Sequence, residues 1–169
     1  KNKYLLDDFK KKGNGLDTAK KRSDFLNQII VKCFNNFFSK FNKKNFNFSI
    51  VATGGFGREE LAPYSDVDIL FLHNSKDKKF LKNFVKFILH NLWNLGFKVG
   101  YATRTVKECI FYSKKKLDVC TSILESRLIV GNKLLYRDLI KNYKKIILKN
   151  YSKQFFSSIF IDREKRLIE

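Results

Sequence analysis

The stretch from Val51 to His73, VATGGFGREELAPYSDVDILFLH, decides how this chain reads. It sets Gly54, Gly55 and Gly57 within four residues, then the single proline, Pro63, then Asp66 and Asp68 on either side of Val67 at the mouth of an apolar run. A turn alone needs one or two glycines, and a buried strand alone avoids aspartate. Both halves together describe a site. Glycines placed directly after a strand let backbone N–H groups approach phosphate oxygens, because no Cβ stands in the way. The spacing is neither a G-x-G-x-x-G fingerprint nor a P-loop with its G-K-[ST]. In a strand, residues two apart share a face, so Asp66 and Asp68 project together. Paired carboxylates repel, and burying them costs several kcal/mol unless a cation neutralises them. Mg²⁺ is the matching ion, since it takes one or two carboxylates and completes its shell with phosphate oxygens. The expected chemistry is therefore Mg²⁺-dependent and acts on a nucleoside triphosphate. Gly54 and Gly55 cradle phosphate, and Asp66 and Asp68 serve as metal ligands and catalytic acids.

Outward from this stretch, apolar residues from Leu16 to about Phe41 follow helical spacing, and 42–45 form a polar break. Phe46 to Thr53 reads as a strand entering the glycine turn, and Glu59 to Leu61 as a short helical turn stopped by Pro63. Val67 to His73 is a second strand, apolar on both faces beyond its aspartates. Lys78 to Leu95 is a helix ended by Gly96, Phe97 to Thr103 a third strand, and Thr105 the start of a helix whose N-terminus Glu108 supports. From Asp118 a helical repeat through Cys120, Ile123, Leu124, Arg127 and Leu128 runs to Gly131, and helices over Leu134–Leu148 and Phe155–Leu167 finish the chain. The predicted class is α/β (α+β), a small mixed sheet covered by helices with a helical C-terminal extension. The expected divisions are a flexible lead-in over 1–15, the catalytic domain over 16–131 and the extension over 132–169. With no methionine and Lys1 as its first residue, the sequence reads as an internal piece of a longer protein.

A net charge of +19 in 169 residues would ordinarily point to nucleic acid. Here the excess is lysine more than arginine and accompanies abundant Asn, Phe and Ile, a bias spread along the chain instead of gathered in a patch. Runs such as Lys10–Lys12 and Lys114–Lys116 fit a solvated face or a helix end. Nucleic acid is not the expected partner. Cys33, Cys109 and Cys120 are odd in number and far apart, which reads as buried free thiols in a reducing compartment. No apolar run approaches the roughly 18–20 residues of a membrane span, and no signal-peptide pattern opens the sequence. The expected location is the cytoplasm, with no membrane partner.

The motif G-G-F-G-R-E-E-L followed by P-Y-S-D-V-D resembles the DNA polymerase β-like nucleotidyltransferases. It is similar in particular to the N-terminal domain of the bacterial PII uridylyltransferase/uridylyl-removing family. A second block, GYATRTVKECIFYSKKKLDVCTSILESRLIVGNKLLYRDL from Gly100 to Leu139, resembles that family's V-R-T strand, acidic helix start and L-[DE]-x-R-L-x-x-G segment. The resemblance runs from about Gly13 onward. It implies that Gly54 and Gly55 hold a triphosphate with help from Ser65, and that Asp66 and Asp68 hold Mg²⁺. It further implies UTP as donor, a tyrosine of the PII nitrogen-signalling protein as acceptor, and a role in regulating nitrogen metabolism.

Arg58 reads equally as a phosphate contact or an ion-pair partner of Glu60, and Arg104 as a phosphate contact or a structural pair. Many polymerase β-like enzymes place a third carboxylate near where this chain has Gly100. The candidates for that acid are Asp118, which also reads as a helix N-cap, and Glu125. His73 and His90 lack partners at metal spacing and read as structural. Uridylyl removal and glutamine sensing belong to other domains of the family, which nothing in this chain resembles. Two alternatives stay open: a relative that uses ATP on a protein or small molecule, and a non-catalytic nucleotide-binding module.

Overall fold

The computed structural model of the chain describes residues 14–39, 47–148 and 157. Residues 1–13 of the expected lead-in over 1–15, the polar break at 42–45 and the helix over Phe155–Leu167, apart from Ser157, lie outside the described residues. The first helix, α1 (Gly15–Phe38), starts where the Asn14 side chain accepts hydrogen bonds from the N–H groups of Leu16 and Asp17. Its buried stripe includes Leu26, Ile30, Phe34 and Phe37, spaced by three or four residues so that one face is apolar.

Strand β1 (Phe48–Ala52) leads into a one-turn helix, α2 (Gly54–Gly57), and then strand β2 (Val67–His73). Helix α3 (Lys78–Asn94), capped by Asp77 accepting from the Phe80 N–H, carries the chain to strand β3 (Val99–Arg104). Helices α4 (Val106–Ser113) and α5 (Leu117–Leu124) precede strand β4 (Arg127–Gly131). Helix α6 (Lys133–Tyr143) then runs into a π-helical turn over Lys144–Leu148. The start of α4 is the expected one: Thr105 and Glu108 form a reciprocal capping box.

The four strands form one mixed sheet in the order β3-β2-β1-β4. β1 pairs antiparallel with both β2 and β4, and β2 pairs parallel with β3 across the α3 connection. Alternation along β2 divides its side chains between two cores. Val67, Ile69 and Phe71 face α1 and α3, while Leu70 and Leu72 face α4, α5 and α6. A sheet covered on both faces explains the near-continuous apolar run read from the sequence. Asp68 interrupts the second face at the end of β2 nearest the glycine turn.

Two expectations are corrected. The repeat from Asp118 to Gly131 is not one helix, because α5 ends at Leu124 and β4 begins at Arg127. β1 is buried along its whole length, so its free edge needs a partner, and the Leu128–Val130 run supplies one. The single helical turn between the two motifs lies at Gly54–Gly57, not at Glu59–Leu61. Glu59 instead takes a left-handed backbone, φ 64°, which no helix continues through.

The first core is dense in phenylalanine. Phe84 of α3 is fully buried and its ring lies 5.2 Å from those of Phe37 and Phe38, 5.6 Å from that of Phe48 and 6.0 Å from that of Phe71. It joins both helices to the sheet. Truncation by Phe84→Ala is expected to cost about 3–5 kcal/mol in a urea titration. A loss below about 1 kcal/mol would mean that the helices and sheet do not share this core.

Candidate active site

The loop between β1 and β2 brings the glycine turn to the aspartates. Thr53 donates its N–H to the Asp68 carbonyl at 3.1 Å, which extends the β1–β2 ladder to the edge of the turn. α2 then starts at once, with Gly57 donating to the Thr53 carbonyl at 3.0 Å. A helix start leaves its first N–H groups without intrahelical acceptors; here they belong to Gly54, Gly55 and Phe56. The Gly54 backbone is left-handed, φ +56°, and a Cβ on it would meet Asp68 Oδ2 at 3.2 Å. The left-handed backbone favours glycine there, and a Cβ would crowd the Asp68 carboxylate.

Asp68 and Gly100 are register partners across the parallel β2–β3 pair. A Cβ at Gly100 would stand 2.6 Å from Asp68 Oδ1. The Asp68 carboxylate therefore occupies the place where a side chain on β3 would go, and this explains the absence of an acid at position 100. Both Asp66 and Asp68 are solvent-facing, a correction to the buried pair expected from the sequence: the pair lies at the open end of β2. Partial burial, reinforced by the Asp66 charge, pushes the Asp68 carboxyl above its usual range.

Asp68 lines a cleft of about 310 Å³ together with Gly54, Gly100, Arg104 and Asp118. Of the two candidates for a third acid, Asp118 is thus the one in the cleft. It sits in the first turn of α5, whose N-cap is Lys116, so the expected capping role is not the one Asp118 takes. Glu125, at the C-terminal cap of α5, is in an ion pair with Arg58 at 2.7 Å. Arg58 also pairs with Glu60 at 2.8 Å, and these carboxylates hold its guanidinium above the usual range. Of the two readings of Arg58, the ion pair is the one present. Ser65 donates its hydroxyl to the Ala62 carbonyl at 2.8 Å and does not line the cleft. Arg104 does line it, with its guanidinium 5.0 Å from the centre of the Tyr112 ring.

A larger cavity of about 540 Å³ opens near His73 between α4 and α6. The aspartate pair is not there, and its one acid, Asp138, accepts a hydrogen bond from Asn142 at 2.8 Å. His73 accepts from the Ser75 N–H, and the His90 ring meets Trp93 edge-on. Among the described residues no group of three or more His, Cys, Asp or Glu is placed to hold a metal. A two-carboxylate site still fits Mg²⁺, which completes its octahedron with phosphate oxygens and water. The space left by Gly54 and Gly100 around the Asp68 carboxylate suits a ligand set of that kind.

A glycine turn opposed to an aspartate pair on the neighbouring strand, in a mixed sheet of this topology, defines a polymerase β-like nucleotidyltransferase fold. Residues 31–130 match the nucleotidyltransferase domain family, and the chain belongs to it. It is 33% identical over 158 residues to a bifunctional uridylyltransferase/uridylyl-removing enzyme of Caulobacter vibrioides, covering 90% of this chain and 17% of that protein. The same enzyme of Azospirillum brasilense is 40% identical over 119 residues, covering 70% of this chain and 13% of that one. The chain thus spans no more than about a sixth of the length of these relatives, and the resemblance read from its two motif blocks is borne out. Among solved structures, a toxin–antitoxin crystal structure with AMP-PNP aligns with TM-score 0.43 at 13% identity, covering 79% of this chain and 98% of that one.

The raised Asp68 carboxyl has a consequence for stability. The unfolded chain ionises this group in the ordinary carboxylate range and the folded chain above it, so stability falls as pH rises through that interval and the loss persists at neutral pH. Asp68→Asn is therefore expected to raise Tm at pH 7, by roughly 1–2 °C given solvent screening. The gain should vanish below about pH 3, where both states are protonated. Equal Tm values at pH 7 would refute the burial argument. Gly100→Ala, which displaces only the tip of the Asp68 side chain, should keep the fold and weaken metal-dependent nucleotide binding by roughly tenfold or more.

Proposed function

We propose that this chain is the nucleotidyltransferase domain of a PII uridylyltransferase, with the catalytic unit over 16–131 and a helical extension over 132–169. It transfers UMP from UTP to a tyrosine hydroxyl of the PII signalling protein, with Mg²⁺, in the cytoplasm and in the service of nitrogen regulation. The observation that carries the reading is the Asp68 carboxylate set between the glycine turn and Gly100, with Asp66 beside it. Identity of 33% along 90% of the chain with an enzyme named as a uridylyltransferase supports the choice of nucleotide.

In this reaction the N–H groups of Gly54 and Gly55 bind the triphosphate, and Asp66 and Asp68 hold the metal. When bound, Mg²⁺ neutralises phosphate charge and polarises the reacting oxygens. The acceptor oxygen bonds to the α-phosphorus as the bond to the bridging oxygen breaks, and pyrophosphate leaves. Asp118, which lines the same cleft, accepts the hydroxyl proton. Arg104 contributes positive charge to the phosphates from the end of β3, and Ser65 steadies the approach to β2. Arg58 acts from behind the turn through its ion pairs. Positioning and charge neutralisation supply most of the rate.

Calorimetric titration with UTP and with ATP, in Mg²⁺ and in chelator, tests the reading. The expected result is Mg²⁺-dependent UTP binding, weakened at least about tenfold by the Asp66→Asn, Asp68→Asn pair. Equal or tighter ATP binding would make the protein an adenylyl-transferring relative. A folded chain that binds neither would make it a non-catalytic module.

A further inference from the structure

Arg127 opens β4, directly opposite Ala52, the last residue of β1 before the glycine turn. From there its side chain reaches across the base of the turn. One terminal nitrogen, Nη2, donates to the Phe56 carbonyl at 3.2 Å and to Asn27 Oδ1 of α1 at 3.2 Å. Nε lies 3.3 Å from the Glu59 carboxylate and makes a longer contact, 3.4 Å, with the Gly57 carbonyl. The guanidinium also stands 5.7 Å from the centre of the Phe56 ring. One side chain thus ties α1, the C-terminal end of the turn and β4 together.

The partner it holds is strained. Glu59 has φ 64°, a region that non-glycine residues occupy only when their surroundings fix them there. Close packing reinforces the bond: a Cβ on Gly57 would lie 2.2 Å from the Glu125 carbonyl oxygen, so the turn presses on the α5–β4 bend. A second ion pair, Arg58 to Glu125, crosses the same junction in the opposite sense. Two arginines and two glutamates therefore exchange partners between 57–60 and 125–127.

We propose that Arg127 is a positioning residue for nucleotide: by holding the Phe56 carbonyl and the strained Glu59, it fixes the direction in which the Gly54 and Gly55 N–H groups point. This rests on the nucleotide-transfer reading above. Lysine cannot take its place, since a single ammonium on a flexible stem does not reach a carbonyl, an amide and a carboxylate in one plane.

The test is calorimetric titration of the full chain with UTP in Mg²⁺, which reads affinity and the binding-competent fraction separately. Arg127→Lys is expected to raise Kd about tenfold with stoichiometry unchanged. Glu59→Gln, which removes the ion pair and leaves the carbonyl contact, is expected to raise it about threefold. A role confined to folding would lower stoichiometry and leave Kd alone, and that result overturns the proposal. If Arg127→Lys does not fold, Glu59→Gln decides by the same criterion. Wild-type binding with unchanged Kd in both variants overturns this role alone. No binding by the folded wild-type chain overturns the functional reading and this role with it.

Discussion

The site depends on where the Asp68 carboxylate can fit. Its two oxygens occupy the space of two missing side chains, one at Gly54 and one at Gly100. The glycine turn and the third strand are thus fitted to the same carboxyl group, one on each side. This joins requirements that look independent in the sequence. The turn favours glycine for its left-handed backbone, and a Cβ on the strand would push the Asp68 carboxylate aside. It also decides where a third acid can come from. The Asp68 carboxylate fills the space beside position 100, and the further carboxylate that lines the cleft comes from the helical layer, Asp118 of α5.

The loop carrying both motifs is held through its own carbonyls by arginines that lie outside it. Arg22 of α1 is buried and donates to the Ala62 carbonyl, just ahead of Pro63 and the aspartate pair. Its guanidinium lies 5.9 Å from the centre of the Phe97 ring, and burial lowers its proton affinity. Ser23, beside it in α1, accepts the Leu61 N–H. Arg127 does the corresponding task for the glycine turn. Segments with polar backbone and few apolar side chains need such partners, because an unpaired buried carbonyl costs about as much as a lost hydrogen bond. Anchors of this kind let a loop hold a geometry that its sequence alone would not keep.

Much of the fold could be read directly from local pattern. The helix cap at Thr105, the apolar run of β2 and the glycine turn all follow from spacing within a few residues. The D-x-D pair is equally plain in the sequence, but β2 begins only at Val67, so Asp66 precedes the strand, and of the two only Asp68 lines the cleft. β4 was hidden because Cys120, Ile123, Leu124, Arg127 and Leu128 fit a helical stripe. What makes the last two part of a strand is the open edge of β1, far away in sequence. The partners of Arg127 were hidden for the same reason: Asn27, Phe56 and Glu59 come from other parts of the chain. The left-handed backbones of Glu59 and Tyr64 leave no sequence signal either, since neither is the glycine or asparagine such positions favour.

The short helix α5 is secured unevenly. Its C-terminal end is pinned to the loop by the Arg58–Glu125 pair and by the tight approach of Gly57. Its first turn, with Asp118, has no side-chain cap. Its middle is buried through Cys120 and Ile123, and Tyr143 of α6 donates its hydroxyl to the Cys120 carbonyl at 2.9 Å. Asp118 and Glu125 thus stand about 10 Å apart on one short helix, the first lining the cleft and the second tied to the base of the glycine turn. One helix therefore joins the cleft that Asp68 lines to the junction beneath the glycine turn.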